Sequence, residues 1–229
     1  MKCPTCNSNK TIKNGFRRGK QCRKCQDCGR QYVESPIIRS YPPEVRKLCL
    51  KMYLNGMGLR GIERVTDIHH TTVMNWIREA GLNLPDAPEE SEIPEITEID
   101  ELQTFIGNKR HKVWVWTVVN HWKPGIILWT IGDRSSSSFQ ILWSTIRCWH
   151  SFWYVTDGWK VYPCFIEPED HLVCKTYMTR VEGENTRLRH YLARLHRKTL
   201  CYSKSLEMLT YSIRLLIHYL KFKTVPMFI

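Results

Sequence analysis

The sequence predicts a multidomain chain in which a small cysteine-rich module and a short all-α segment precede a larger mixed α/β domain. Three observations carry this division. Five of the ten cysteines fall within the first 28 residues. The run Asn83–Pro94 holds three prolines and four acids, the mark of an extended linker. Eight of the nine tryptophans lie beyond residue 100, so the main apolar core is built there. The boundaries drawn on this basis are 1–38, 39–82, a linker over 83–95, and 96–229.

Composition narrows the class. With 42% hydrophobic and 24% charged residues the 229-residue chain is globular, not disordered. Its net charge of +12 is unevenly spread: residues 1–40 carry +8, 83–101 carry −8 and 175–229 carry +8. Two basic ends around an acidic hinge suit a polyanion held at two surfaces. Val113–Gly132 has Lys123 as its single charge, yet Asn120-His121 and Lys123-Pro124-Gly125 break it into two strands and a turn, so no membrane span is expected. Met1-Lys2-Cys3-Pro4 opens no secretory signal, which places the cysteines in a reducing cytoplasm and favours metal binding over disulfides.

The first module reads as a zinc ribbon. Cys3-Pro-Thr-Cys6 and Cys25-Gln-Asp-Cys28 are two C-x-x-C pairs separated by 18 residues. Two such pairs surround a structural Zn²⁺ at about 2.3 Å per thiolate and leave no open position for catalysis. The module has too few apolar residues to fold without that staple. Cys22-Arg-Lys-Cys25 is a competing C-x-x-C; Gly29 after Cys28 favours the Cys25/Cys28 pair. Arg17, Arg18 and Lys20, between the pairs, are expected to meet DNA phosphates.

The second segment reads as a helix-turn-helix. Val45, Leu48 and Met52 mark a first helix ending at Asn55-Gly56, and Leu59, Ile62 and Val65 a short second one. Thr71-Thr72 cap a third helix that turns Val73, Trp76 and Ile77 inward and presents Thr71, Thr72, Asn75 and Arg78 to a major groove. His69 and His70 are read as turn residues.

In the third segment, Val113–Val119 alternates into a strand apolar on both faces, and Gly125–Ile131 is a second strand. Ser135 to Ser138 cap a helix carrying Phe139, Ile141, Leu142 and Ile146. Phe152–Thr156 is a buried strand ending at Asp157, Leu172–Cys174 a further strand, and helices follow from about Arg180 to Lys198 and Lys204 to Lys221. This order is compatible with a ribonuclease H-like domain without establishing it. Asp100, Asp157 and Glu182 are candidate acids for a two-cation phosphoryl-transfer site, with 24 residues between the last two. Arg187, Arg189, Arg194, Arg197 and Lys198 are read as one basic helix face along DNA, and Asn185 as a residue that orients Glu182 or touches DNA. Trp114, Trp116, Trp129 and Trp153 are assigned to the core, Trp159 is a candidate for stacking on a base, and Asp133, Glu167, Glu169 and Asp170 are read as solvated loop charges.

The chain resembles the transposases of the insertion-sequence-one family. The likeness rests on the four ribbon cysteines, Asn55-Gly-Met-Gly-Leu-Arg-Gly-Ile, His70-Thr-Thr-Val-Met-Asn-Trp, Ile99-Asp-Glu-Leu, Val155-Thr-Asp-Gly-Trp-Lys-Val-Tyr, Arg180-Val-Glu-Gly-Glu-Asn and the basic run from His190. Family members are often made by frameshifting between two reading frames; this chain carries both halves in one sequence. The resemblance implies a ribonuclease H-like fold, catalytic acids at Asp100, Asp157 and Glu182, Mg²⁺ (or Mn²⁺) as cofactor, and the inverted-repeat ends of an element plus target DNA as substrates. It also implies a homodimer or higher assembly on DNA, near the bacterial nucleoid. Glu184 stands where a basic or aromatic residue is expected and rivals Glu182; residues two apart on a helix point different ways, and Glu182 is preferred. Two rivals remain open: a DNA-binding regulator without enzymatic activity, and a ribonuclease H-like nuclease without strand transfer.

Overall fold

The computed structural model describes residues 1–34, 41–87 and 92–226. It divides into two compact units, Met1–Tyr41 and Pro42–Ile229.

The first unit is an antiparallel sheet in the order β1 (Thr11–Arg17), β2 (Lys20–Cys25), β3 (Gln31–Val33). Its hairpin tip holds Arg18 and Gly19 at φ 52° and 75°, the left-handed pair that a two-residue turn matched to strand twist requires. Among its described residues only Cys3 and Cys25 are buried. Phe16 and Ile12 stand in solvent. This sheet has no apolar core of its own, as the sequence led one to expect.

The second unit opens with α1 (Pro43–Tyr53), α2 (Leu59–Thr66) and α3 (His70–Leu82). A five-stranded sheet follows, with β4 (Ile96–Ile106), β5 (Asn108–Asn120), β6 (Ile126–Gly132), β7 (Trp153–Thr156) and β8 (His171–Val173) in the order β6-β5-β4-β7-β8. The β4–β5–β6 pairings are antiparallel, whereas β7 runs parallel to β4 and β8 parallel to β7. Helices α4 (Ser136–Ile146), α5 (Thr179–Tyr191) and α6 (Leu206–Phe222) complete it. No helix among the described residues is long and apolar enough to cross a membrane.

The pleat of β4 sorts its side chains into two layers. Ile99 pairs with Val118 and Glu101 with Trp116, and this face packs on Phe139, Leu142 and Ile146 of α4. Asp100 pairs with Thr117 on the opposite face, which α5 covers. With helices on both sides, β5 is buried on both faces, which explains its unbroken apolar run. Ser135 caps α4 by accepting from the Ser138 N–H. Asp133 accepts from the Ser135 N–H and the Ser138 hydroxyl, so it belongs to that cap and is not a free loop charge.

Several expectations give way. Leu48 is 50% exposed; α1 instead buries Cys49, Leu50 and Tyr53, because the Tyr53 hydroxyl meets Ser212 of α6 at 2.8 Å. Val65 is exposed as well. The N-cap of α3 is His69, whose ring accepts from the Thr71 N–H, rather than Thr71-Thr72. Trp153 lies at the strand's start, 38% exposed, outside the core. Helix α5 stops at Tyr191, where Leu192 turns extended and the chain enters a 3-10 turn over Ala193–Leu195 that is buried throughout. The division at 82 and 96 separates no compact units, since α3 packs on α6 and Asp86 accepts from Arg214 and Trp129. Of the proposed linker, residues 88–91 lie outside the described residues.

Gly81 sets how closely α3 approaches α6: a Cβ there would stand 2.5 Å from Tyr211 Cβ and 2.6 Å from its Cα. Alanine normally gains up to about 1 kcal/mol over glycine in a helix. Here the collision is with backbone that cannot swing away, so Gly81→Ala is expected to destabilise by about 1–3 kcal/mol in denaturant titrations. Gly183→Ala, with nothing within 4 Å, is expected to leave stability equal or improved.

Candidate active site and metal centres

Asp100 lies in the middle of β4, not at its start. The parallel register Ile96↔Trp153, Thr97↔Tyr154, Glu98↔Val155 carries on to bring Asp157, just past the end of β7, beside Asp100. Asn185 of α5 reaches onto the same sheet face. Its amide nitrogen donates to Asp100 Oδ2 at 2.8 Å, and its carbonyl accepts from the Thr117 hydroxyl at 3.0 Å. Burial pushes the Asp100 carboxyl up to about 6; the bond from Asn185 opposes this, and the charges of Glu101 and Asp157 add to it. Glu182 stands one turn before Asn185, exposed, on the α5 stripe that also carries Arg189. Arg189 donates to the Gln103 and Leu195 carbonyls.

The three acids differ in how they are gathered. Asp157, just past the end of β7, lies close enough to Asp100 for its charge to act on that carboxyl, and Glu182 stands exposed on α5. Their oxygens do not all lie within 4.8 Å of one another. Glu184, the rival, is 4% exposed and already engaged: it accepts from the Gly125 N–H at 3.0 Å and from Arg187 at 2.9 Å. Reading the sequence for acids missed Glu98. Fully buried, it takes His121 at 2.5 Å and the Val181 N–H at 2.7 Å, tying β4 to the first turn of α5. The period-two pairing of Glu98 with Asp100 on one strand face was the signal that could have found it.

On the opposite face, Glu101 accepts from Tyr162 at 2.7 Å and from Arg134 at 2.6 Å. The Arg134 guanidinium lies 3.7 Å over the Trp159 ring, so one face of the ring proposed for base stacking is taken. The expected basic helix face is also broken up. Arg194 is buried against Ser203 and beyond the end of α5, Arg187 is paired to Glu184, and Arg197 and Lys198 are exposed past the 3-10 turn. Thr71, Asn75 and Arg78 are exposed on α3 and Thr72 is half-buried. Arg17 and Arg18 are exposed at the hairpin tip, with Lys20 half-buried beside them.

In the first unit the Sγ atoms of Cys3, Cys6, Cys25 and Cys28 all lie within 4.8 Å, with Cys3–Cys28 at 3.6 Å and Cys6–Cys25 at 3.5 Å. A tetrahedron with arms of about 2.3 Å has edges of about 3.8 Å, so the set fits Zn²⁺ with little movement. Backbone N–H groups of the knuckles pull the Cys3 thiol down to about 6 and lower Cys25, while the neighbouring thiols hold Cys6 and Cys28 above the ordinary range, so that without a metal the four cannot all ionise together. Gly29 turns the second knuckle at φ 72°. Cys22 sits in β2 opposite Val33, outside the cluster, which closes the alternative.

Two outcomes follow. Cys22→Ser is expected to keep one zinc per chain and Cys25→Ser to lose it, read by elemental analysis of purified protein. For Asp100, the folded state binds its proton more tightly than the unfolded chain, whose carboxyl has the ordinary value of 3.8. Its stabilising contribution is therefore present below about pH 4 and lost as pH rises through about 6. In divalent-free buffer at pH 7.5, Asp100→Asn is expected to stabilise the protein by up to about 3 kcal/mol, with no gain near pH 4.

Comparison with known proteins places this geometry. Residues 95–224 match the family model described as IS1 transposase, a span that contains all three candidate acids. The insertion element IS1 protein InsB of Shigella flexneri is 30% identical over 126 residues, covering 55% of this chain and 94% of the relative. The iso-IS1n protein InsB of Shigella dysenteriae is 31% identical over 112 residues, 49% of this chain and 86% of the relative. An IS1 protein InsB of Escherichia coli K12 is 29% identical over 133 residues, 58% and 78% respectively. With more than half its length under the family model, and with relatives covered almost end to end, the chain belongs to the IS1 transposase family.

Proposed function

We propose that the chain is a DDE-type DNA transposase whose second unit carries a ribonuclease H-like catalytic domain. The strand order β6-β5-β4-β7-β8, three antiparallel strands continued by two parallel ones and covered by helices on both faces, supports that fold. The observation that carries the activity is the approach of Asp157, just past the end of the parallel strand β7, to Asp100 in β4, with Asn185, one turn after Glu182, bonded onto Asp100.

Asp100, Asp157 and Glu182 would hold Mg²⁺ (or Mn²⁺), an all-oxygen donor set suited to a hard cation. Bound there, the cations supply charge stabilisation for the attacking and leaving oxygens of phosphodiester transfer. The desolvated Asp100 carboxyl, pushed up beside a second carboxylate, fits that role, because a cation relieves both burial and repulsion. Asn185 fixes the rotamer of Asp100 through Thr117, and Glu98 holds the first turn of α5 so that Glu182 faces the strands. The reaction so catalysed is hydrolysis at the element ends to leave 3′-hydroxyls, then attack of each hydroxyl on a target phosphodiester. The cysteine unit and α3 recognise the terminal inverted repeats, through Arg17, Arg18 and Lys20 and through Thr71, Thr72, Asn75 and Arg78. Arg187, Arg189, Arg197 and Lys198 lie nearer the carboxylates along the chain, and a dimer or larger assembly pairs the two ends.

Strand transfer with purified protein, Mg²⁺ and labelled inverted-repeat DNA tests this reading. Asp100→Ala, Asp157→Ala and Glu182→Ala are each expected to lower joined product by roughly 10²–10³-fold, the scale for losing a preorganised electrostatic group, while end binding persists. Glu184→Gln, which keeps an acceptor for Gly125, is expected to retain joining. End binding by wild-type protein without cleavage in Mg²⁺ or Mn²⁺ would point to a regulator, and cleavage without joining to a nuclease.

A further inference from the structure

The turn between α2 and α3 gathers three metal-binding side chains that phosphoryl transfer does not use. Glu63 comes from α2, His69 caps α3 and His70 is its first residue. One atom from each lies within 4.8 Å of the others. Glu63 Oε2 is 2.7 Å from His70 Nδ1, and Oε1 is 3.7 Å from His69 Nε2. Donors around a tetrahedral zinc at about 2.0–2.2 Å stand about 3.3–3.6 Å apart, and the carboxylate turns one oxygen toward each ring.

We propose that Glu63, His69 and His70 form a second divalent-metal site, of a class suited to Zn²⁺, within the helix-turn-helix. Two imidazoles and one carboxylate suit zinc and exclude the hard cations that an all-oxygen set prefers. His69 Nδ1 lies 2.7 Å from the Thr71 hydroxyl and 3.3 Å from the Thr71 N–H. Ligation through Nε2 requires the tautomer with the proton on Nδ1, in which the ring donates to the Thr71 hydroxyl in place of accepting the N–H. An outer hydrogen bond of this kind orients most metal-bound histidines. The side chains are 60% (His69), 31% (His70) and 31% (Glu63) exposed, which lets an ion enter and leaves a fourth position to water. A bound ion would tie α2 to the first turn of α3, the helix proposed to read DNA.

The test is calorimetric titration of Zn²⁺ into full-length protein whose cysteine cluster already holds one zinc. An Asp100→Asn, Asp157→Asn background removes the other carboxylate pair as a competitor. One further equivalent is expected to bind. Glu63→Gln and His70→Ala should each abolish it with helix content unchanged by circular dichroism. Thr71→Val, which removes the outer hydrogen bond without touching a ligand, should weaken it roughly tenfold or more. Absence of a second equivalent, or a second equivalent that survives in both Glu63→Gln and His70→Ala, would overturn the proposal and leave the strand-transfer reading intact.

Discussion

Asn185 uses both ends of its amide inside the protein, receiving the Thr117 hydroxyl and donating to Asp100. Much of the second unit's candidate chemistry depends on that pair of bonds. Helix α5 meets its sheet face largely through polar groups: Glu98 takes the Val181 N–H, Asn185 takes Asp100, and Arg189 takes the Gln103 carbonyl. A buried hydrogen bond contributes only about 0.5–1.5 kcal/mol net, whereas an orphaned buried partner costs about 1–3 kcal/mol. Such an interface therefore tolerates little sliding, because a shift of one residue would orphan several groups together. Val181 and Leu188 supply the apolar burial, and the polar contacts fix the register.

That register has an electrostatic consequence. The sheet places an ionisable group where water is scarce and sets a second carboxylate just past the end of the neighbouring strand. For stability alone this is a poor arrangement, since burial and like charge both work against the ionised form. Local choices that weaken a fold without compensating contacts are typical of functional positions. On the other face of the same strand, Glu101 shows the contrasting solution: its charge is matched by Arg134 and by the Tyr162 hydroxyl. Two acids adjacent in sequence thus have different fates because the pleat turns one onto a direct ion pair with Arg134 and the other onto the amide of Asn185.

The strands and the α4 cap were readable because local chemistry decides them. Val113–Val119 is apolar on both faces, Ser135 lies where a helix must begin, and the cysteine spacing together with Gly29 picks out the four cysteines that cluster. What escaped is decided by tertiary contacts. The α1 face follows Tyr53 because Ser212 waits for its hydroxyl some 159 positions away in sequence. Helix α5 ends at Tyr191 although the residues beyond it have helical spacing, because Leu192 to Leu195 bury themselves in a tight turn. Arg194 looked like a phosphate contact because its charge was visible in the sequence, while the Ser203 hydroxyl that receives it was not. Glu98 and the Glu63–His70 pairing were hidden for the same reason: a charge in a sequence is anonymous until its partner is known.

Glu182 and Glu184 differ in what the fold asks of each. On a helix the two lie about 200° apart, so they cannot face the same strand residues. Glu184 turns inward to Gly125 and Arg187, where its oxygens receive a backbone N–H and a guanidinium. A carboxylate held by those donors would have to release them, in a buried place, before it could take a cation. Glu182 carries no such obligation. It is exposed, lies three residues from the Asn185 that grips Asp100, and sits next to the Val181 N–H that Glu98 fixes. The helix is thus anchored immediately on either side of an exposed acid. Glu184 is engaged within the fold, and Glu182 is the exposed acid of the pair.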